Sequence, residues 1–347
     1  MAQDTHTFGS TPLLERVVCR SDVLGDLFPN LLPSTPNLRT IDCFLDDDFS
    51  LQSMSSYPWA NIQHLDLQHD SSSLVPVLES LCQASGLQSL SYINTTTTSL
   101  ASAYVPPEEM QGTVVSNIEF LSFELESRDG FPDLLSDFIQ GVTLPALSTL
   151  SLRYSTSFPT PEDKNKLPDA KWPRYAISDF FQRSGCRLTT LTLRSLSLLD
   201  KDVISLLELT PFVETFTLSE YFTCELAGVQ SAWGRKGYQV VTRNLLERLK
   251  VTNDVYSTQA ILLPKLKSID LMVMSHFDSD TAFVEMVASR QFSVTVDATL
   301  SPFFTERLQT AVLSVDRVLV GRTYKPLKDL ERAGMMISVI GDGEEVV

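Results

Sequence analysis

Residues suited to nucleophilic or metal chemistry occur in this sequence, but their spacing does not bring them together. His64 and His69 flank Asp66 in the segment HLDLQHD. On a strand, positions 64 and 69 have opposite parity, so the two imidazoles would point to opposite faces and could not share a metal ion. The cysteines have no C-x-x-C pair and no histidine close in sequence, which argues against a catalytic thiol. They are Cys19, Cys43, Cys82, Cys186 and Cys224.

Two further segments have part of the composition of a binding site. Three consecutive aspartates at 46–48 could hold a hard cation, although such a run is more typical of a solvated turn or a helix start. Residues 228–237 are glycine-rich like a phosphate-binding loop, but Arg235 precedes Lys236 and no serine or threonine follows the lysine. Neither G-x-S-x-G nor H-E-x-x-H occurs. These patterns predict a protein that is not an enzyme and has no cofactor or metal ion.

Charge and composition narrow the classes of partner. The chain has 27 Lys and Arg against 43 Asp and Glu, a formal net charge of −16, which opposes the approach of nucleic acid or an acidic membrane. No apolar run approaches the ~20 residues that a membrane-spanning helix needs, and the first residues lack the pattern of a signal peptide. We therefore expect reduced cysteines and a location in the cytoplasm or the nucleus.

A recurring leucine pattern predicts the elements that would position any site. Leu188, Leu191 and Leu193 have L-x-x-L-x-L spacing, which predicts a short strand with Leu191 and Leu193 on its buried face. Asp200 is the predicted N-cap of a following helix, which should end before Pro211. One strand, one turn and one helix in about 25 residues is the unit of a leucine-rich repeat.

The same pattern recurs along most of the chain. The first four copies begin at Leu14, Leu38, Ile62 and Leu87, at intervals of 24 or 25 residues. Later intervals are longer, which predicts insertions in the turns, because strands and helices have fixed places in a stack of repeats. We place these insertions at 95–113, 155–174 and 221–237.

The C-terminal part predicts a less regular end of the stack. A helix capped at 278–280, a strand at 292–296, helices at 303–312 and 326–333 and a last strand at 335–340 follow from the apolar spacing. Residues 341–347 read as a frayed acidic tail. The predicted fold is an α/β leucine-rich-repeat solenoid with irregular repeats, its curved parallel sheet on the concave side and its helices on the convex side. It would be one domain over 1–347, with repeats at about 14–300 and an atypical cap at about 301–340.

Three segments, 186–218, 144–152 and 263–290, carry a resemblance to a known family. The chain resembles the leucine-rich-repeat region of the F-box proteins of mushroom-forming fungi, over about 14–340. That resemblance implies a curved solenoid that presents a surface to other proteins, and an F-box that binds the Skp1 adaptor of a ubiquitin ligase. No F-box is visible before Leu14, which argues against binding of a Skp1-type adaptor. The buried Asn or Cys that follows the strand in regular repeats is also missing.

Strand alternation predicts which side chains face outward on the concave side. Serine and threonine dominate the middle of this set, and in register they would form rows of small donors and acceptors about 4.8 Å apart. One interpretation is that threonine simply suits a solvated strand face. The alternative is a polar groove for a peptide or a protein loop, with Arg153 and Arg194 as charged anchors. The candidate protein-binding residues are Asp42, His64, Asp66, Glu124, Arg153, Thr190, Thr192, Arg194, Thr217 and Asp270.

Two functional hypotheses remain open. The first is a non-catalytic protein-interaction scaffold, which the resemblance extends to the substrate-recognition part of an SCF-type ubiquitin ligase without its F-box. The second is a leucine-rich-repeat regulator unrelated to ubiquitin, such as a GTPase regulator that supplies an arginine from a rim loop. Arg174, Arg235 and Arg243 are the candidates for that arginine.

Overall fold

The chain forms two compact units, one of residues 1–148 and 175–186, the other of residues 149–174 and 187–347. The computed structural model describes residues 13–19, 35–45, 59–69, 74, 77–78, 81, 84–95, 114–125, 131–154, 172–196, 198–220, 239–251, 260–291 and 305–347.

The strands of the first unit pair in parallel, each with the next full-length strand in the chain. Val17, Ile41, Leu65, Leu90 and Leu121 lie opposite one another in register across the central sheet β1-β2-β3-β4-β6. This is the register that the leucine spacing predicts for the first repeats. The two-residue strands β5 and β7 pair in a separate parallel sheet. The elements are β1 (Arg16–Cys19), β2 (Thr40–Leu45), β3 (His64–His69), β4 (Ser89–Asn94), β5 (Val114–Val115), β6 (Phe120–Leu125), α1 (Phe131–Gly141), β7 (Val142–Thr143) and α2 (Arg174–Ser184).

Helix α1 packs against the buried face of this sheet. The rings of Tyr92, Phe123 and Phe138 stack from β4 through β6 to α1, with centroid distances of 5.1 and 5.2 Å. Such aromatic pairs stabilise a core beyond the area that they bury. Leu78, which is helical and buried, lies so close to Gly141 that an added Cβ would be 3.1 Å from its side chain. A helical layer therefore covers one face of the strands.

The second unit repeats the same arrangement, with helices of 7 to 12 residues. Strands β8 to β13 pair in parallel in chain order. The buried residues in register are Leu150, Leu191, Phe216, Ile269, Ala311 and Ile337. The elements are β8 (Thr149–Tyr154), β9 (Thr190–Arg194), α3 (Asp200–Leu209), β10 (Thr215–Ser219), α4 (Arg243–Leu249), β11 (Ser268–Val273), α5 (Asp280–Ser289), β12 (Thr310–Val315), α6 (Gly321–Arg332), β13 (Met336–Gly341) and β14 (Glu344–Glu345).

Polar contacts join the N-termini of neighbouring helices in this unit. Asp200, the first residue of α3, accepts hydrogen bonds from Thr242 Oγ1 and Asn244 Nδ2 at the start of α4. Asp280, the first residue of α5, accepts from the side chains of Arg317 and Tyr324, before and within α6. A carboxylate is favoured at the positive end of a helix, so each aspartate stabilises the first turn of its own helix and connects that helix to the next one.

Two predictions about helix ends and helix type are wrong in detail. The N-cap of α3 is Leu199 rather than Asp200, and its N–H donates to Asp202 Oδ2 at 3.0 Å. The helix predicted at 303–312 does not form where the structure describes that range: Thr310–Val315 is β12, and its burial alternates with period two. Over so short a segment, the spacing of the apolar residues fits both a helix and a strand.

The acidic C-terminal segment is ordered, so the prediction of a frayed tail is wrong. Asp342 and Gly343 have positive φ values of 50° and 78° and join β13 to the antiparallel strand β14. Positive φ at both central residues defines the type I′ turn, for which Asp-Gly is a preferred pair. The last strand predicted at 335–340 is confirmed as β13.

Several predicted features lie outside the described residues. They are the aspartates at 46–48, the glycine-rich segment 228–237, the strand at 292–296, Cys82, Cys224, and nearly all of the three insertions. In the part of the chain that the structure describes, no helix is long and apolar enough to cross a membrane.

Candidate functional site

The outward strand face is the set of side chains on the parallel strands that point away from the buried leucine positions. Its predicted alternation is confirmed: the patterns of β4, β8 and β11 are each half-buried then buried, repeated three times. All ten candidate binding residues are half-buried or exposed on this face. Ser219 is the exception among the predicted outward positions, because it is buried beside Glu220 at the end of β10.

In the first unit the outward strand face contains a groove over β2, β3 and β4. Asp42 and Asp66 lie opposite each other in register. Arg16 on β1 approaches Asp42, with Nη2 3.7 Å from Oδ2. We call this cavity of about 640 Å³ the β2–β4 groove; it is lined by Asp42, Phe44, Asp66, Gln68, Ser91 and Ile93.

The two aspartates give the β2–β4 groove a negative charge with an unusual protonation behaviour. Burial raises the pKa of Asp66 above its ordinary value of 3.8, and the nearby charge of Asp42 raises it further. Arg16 and His64 oppose this effect. A positive charge placed between the two carboxylates would lower the pKa of Asp66, because it stabilises the ionised form.

In the second unit the outward strand face carries the predicted rows of hydroxyls. Residues in register across β8 to β12 form one row, and those of the next outward position form a second row. The first row is Thr149, Thr190, Thr215, Ser268 and Thr310, and the second begins Ser151, Thr192, Thr217 and Asp270. The serine and threonine hydroxyls of these rows can both donate and accept hydrogen bonds, whereas the ionised carboxylate of Asp270 only accepts.

The predicted arginine anchors are neighbours in the second unit. Arg153 on β8 lies opposite Arg194 on β9 in register. Asp270 lies on the same face; burial raises its pKa, while the charge of Arg194 acts in the opposite direction. Among the described residues no hydrogen-bond partner reaches the buried Oδ1 of Asp270. This part of the face therefore combines hydroxyls with charges of both signs.

No group of three or more His, Cys, Asp or Glu side chains among the described residues is placed to hold a metal ion. Cys43 is buried on the strand, and burial raises the pKa of the Cys186 thiol to about 11, which keeps it protonated at neutral pH. What the arrangement can do is hold another molecule by hydrogen bonds and charge.

Glu220 and Arg290 are buried charged residues that the sequence analysis did not single out. Glu220 Oε1 accepts the backbone N–H groups of Val240 and Val241 at 2.7 Å, and its Oε2 accepts that of Met274 at 3.1 Å. These contacts connect two segments, one before α4 and one after β11, to the end of β10 next to the outward strand face. An isolated Glu after a strand gives no sequence signal for this role.

We expect Glu220 to make the stability of the second unit depend on pH. Burial raises its pKa above 4.5, so the folded state binds more protons than the unfolded state just above that pH. The stability contributed by protonation is present below pH 4.5 and is lost as the pH rises through the folded-state pKa. In urea titrations between mildly acidic and neutral pH, wild type should therefore lose stability relative to Glu220→Gln.

The control for this titration is Glu208→Gln, whose carboxylate is about half exposed. It shows the effect of the same substitution at a partly exposed position. A Glu220→Gln curve that runs parallel to that of wild type would contradict the assignment.

Comparison with known proteins does not assign this chain to a family. No protein-family model matches the chain, and no curated protein matches it.

Proposed function

We propose that this chain is a leucine-rich-repeat protein that binds other proteins through its outward strand face and performs no reaction itself. The observation that carries the proposal is the register of polar, half-exposed side chains over successive parallel strands in each unit. The opposite face of each strand is sealed by apolar side chains, such as Leu65 and Leu191, which have no exposed surface. The strands are therefore fixed from one side and present variable groups on the other.

The repeat assignment rests on the agreement between sequence period and strand register. Each predicted L-x-x-L-x-L match from Leu38 onward lies on or just before a described strand, and matching positions of neighbouring strands are opposite one another. We extend this to a single curved solenoid with irregular repeats, as proposed from the sequence. Stacked units of this kind stabilise one another mainly through their interfaces.

The resemblance to fungal F-box proteins makes substrate recognition in an SCF-type ubiquitin ligase the specific form of this proposal. The role within this proposal is recognition of the partner protein, in the cytoplasm or the nucleus. No specific observation favours the alternative of a GTPase regulator. Arg174 donates to the carboxylate of Asp202, Arg243 is 3.7 Å from Glu247, and Arg235 lies outside the described residues.

Photocrosslinking tests whether the outward strand face is the binding surface. A benzophenone amino acid at Ser151 or Thr192 samples the face, and the same group at Lys201 or Glu331 samples exposed helix positions. We expect the face positions to crosslink a common partner in native extract and the helix positions to leave it unlabelled. Crosslinks confined to the helix positions would overturn the proposal.

With that partner purified, the paired arginines provide a quantitative test. Arg153→Ala combined with Arg194→Ala should weaken binding by at least about tenfold, because the two residues lie opposite each other in register on the face. The matched control, Arg322→Ala with Arg332→Ala, removes the same charge from exposed positions on α6. Equal affinities for the two double variants would contradict the role of Arg153 and Arg194 as anchors.

A further inference from the structure

The β2–β4 groove differs in charge from the rest of the outward strand face. Neighbouring parallel strands are about 4.8 Å apart, and Asp42 and Asp66 face each other across that spacing. The described strands of the first unit have no pair of arginines in register on this face, unlike Arg153 and Arg194 on β8 and β9.

Positive groups of the first unit leave much of this charge uncompensated. Arg16 is the only guanidinium in range of Asp42, at 3.7 Å, in the described part of the chain, and 61% of its side chain is exposed. At that exposure such an ion pair contributes little. His64, at the start of β3 on the same face, is exposed. The groove therefore favours a cation at neutral pH.

The walls of the groove indicate a larger ligand than an ion. Phe44 and Ile93 provide apolar surface next to the aspartates, while Gln68 and Ser91 provide hydrogen-bonding groups. A lysine or arginine side chain has an apolar stem and a charged head, and its head can also stack on an aromatic ring. A cavity of about 640 Å³ has room for such side chains together with a segment of extended backbone.

We infer that the β2–β4 groove binds an extended, lysine- or arginine-containing segment of a partner protein, with the cationic head group between Asp42 and Asp66. The inference rests on the proposed protein-binding function and adds to it the chemistry of the partner. A divalent metal is disfavoured because only two carboxylates meet here and the adjoining walls are apolar.

Short fluorescent peptides in a Gly/Ser host test the inference with the full chain. Peptides with Arg or Lys at alternate positions are compared with matched Glu and Gln peptides by fluorescence anisotropy. We expect the basic peptides to bind at least about tenfold more tightly than the Gln peptide, and the affinity to fall with added salt. Preference for the Gln or Glu peptide would overturn the inference.

The isosteric variant Asp42→Asn with Asp66→Asn should lose at least about tenfold in affinity for the basic peptides. The chain is acidic overall, so the matched control removes two carboxylates elsewhere: Asp329→Asn with Glu331→Gln, both exposed on α6. The control should bind as wild type does. Equal losses in the two variants would mean that net charge, not the groove, attracts the peptide, and would overturn the inference.

Acidification gives a second readout in the wild-type chain. Because the pKa of Asp66 is raised, acidification should weaken binding at a higher pH than it would for an aspartate of ordinary pKa. Asp66→Asn should remove that part of the pH profile of binding. Self-association that Asp42→Asn with Asp66→Asn abolishes would assign the groove to a second copy and overturn the inference. If the peptides fail but face crosslinks to a partner persist, only the partner chemistry is wrong; if both fail, so is the proposed function.

Discussion

Arg290→Met should lower the free energy of unfolding of the second unit by about 3–5 kcal/mol. Arg290 is 1% exposed and donates to three backbone carbonyls: Nε to Leu249 at 2.7 Å, Nη1 to Leu263 at 3.0 Å and Nη2 to Leu262 at 2.6 Å. Methionine replaces the stem but leaves these buried acceptors unsatisfied. Urea unfolding followed by circular dichroism measures the loss.

The guanidinium of Arg290 connects parts of the chain that are distant in sequence. Leu249 ends α4, where helix carbonyls lack partners within the helix, and Leu263 has a positive φ of 51° in the turn before β11. Burial lowers the pKa of Arg290 to about 10, so the group still carries its charge at neutral pH. We therefore expect faster hydrogen exchange at the end of α4 and before β11 in the variant.

The control for this prediction is Arg332→Met, whose side chain is 76% exposed. It should unfold within about 0.5 kcal/mol of wild type. Arg290→Lys gives a further check, because one ammonium group cannot reach all three carbonyls at once. A lysine variant as stable as wild type would show that charge alone, not the fork of donors, matters at this position.

Phe216→Ala should cost about 3–5 kcal/mol, because it removes a buried ring and leaves a cavity. Phe216 has no exposed surface and lies in register between Leu191 on β9 and Ile269 on β11. The cavity would open between two neighbouring strands, so both would lose packing. Thermal and urea unfolding of the purified variant measure the effect.

Phe212 supplies the matched control four residues earlier. Its ring is 45% exposed and lies 5.3 Å below the guanidinium carbon of Arg187. Phe212→Ala should cost only about 0.5–1 kcal/mol, which is typical of an exposed cation–π contact. Similar losses for the two alanine variants would contradict the buried register assigned to Phe216.

The strand positions could be predicted because each depends on a local pattern. In L-x-x-L-x-L the last two leucines have the same parity and must share a face, so Leu191 and Leu193 identify their strand without knowledge of its neighbours. The near-constant early interval also predicts that Asp42 lies opposite Asp66. The β2–β4 groove itself could not be predicted, because its depth depends on how Phe44 on β2 and Ile93 on β4 stand on either side of β3.

Other predictions failed, each for its own physical reason. The segment 310–315 has the length of a single strand. Over so few residues, the apolar spacing of a helix cannot be distinguished from that of a strand. The Asp342-Gly343 pair is a hairpin signal, but the surrounding acidic residues favoured an unstructured end. Arg290 and Glu220 satisfy backbone groups remote in sequence, and no sequence pattern marks such partners.

The short antiparallel strand β14 forms the last edge of the sheet in the second unit. It pairs with β13 at Ile340 and Gly341, and two more bonds join Val339 to Val346 and Val347. An unpaired sheet edge is a template on which further chains can add, and Glu344 and Glu345 place like charges along this one. Glu344 and Glu345 therefore disfavour the addition of another chain at this edge of the sheet.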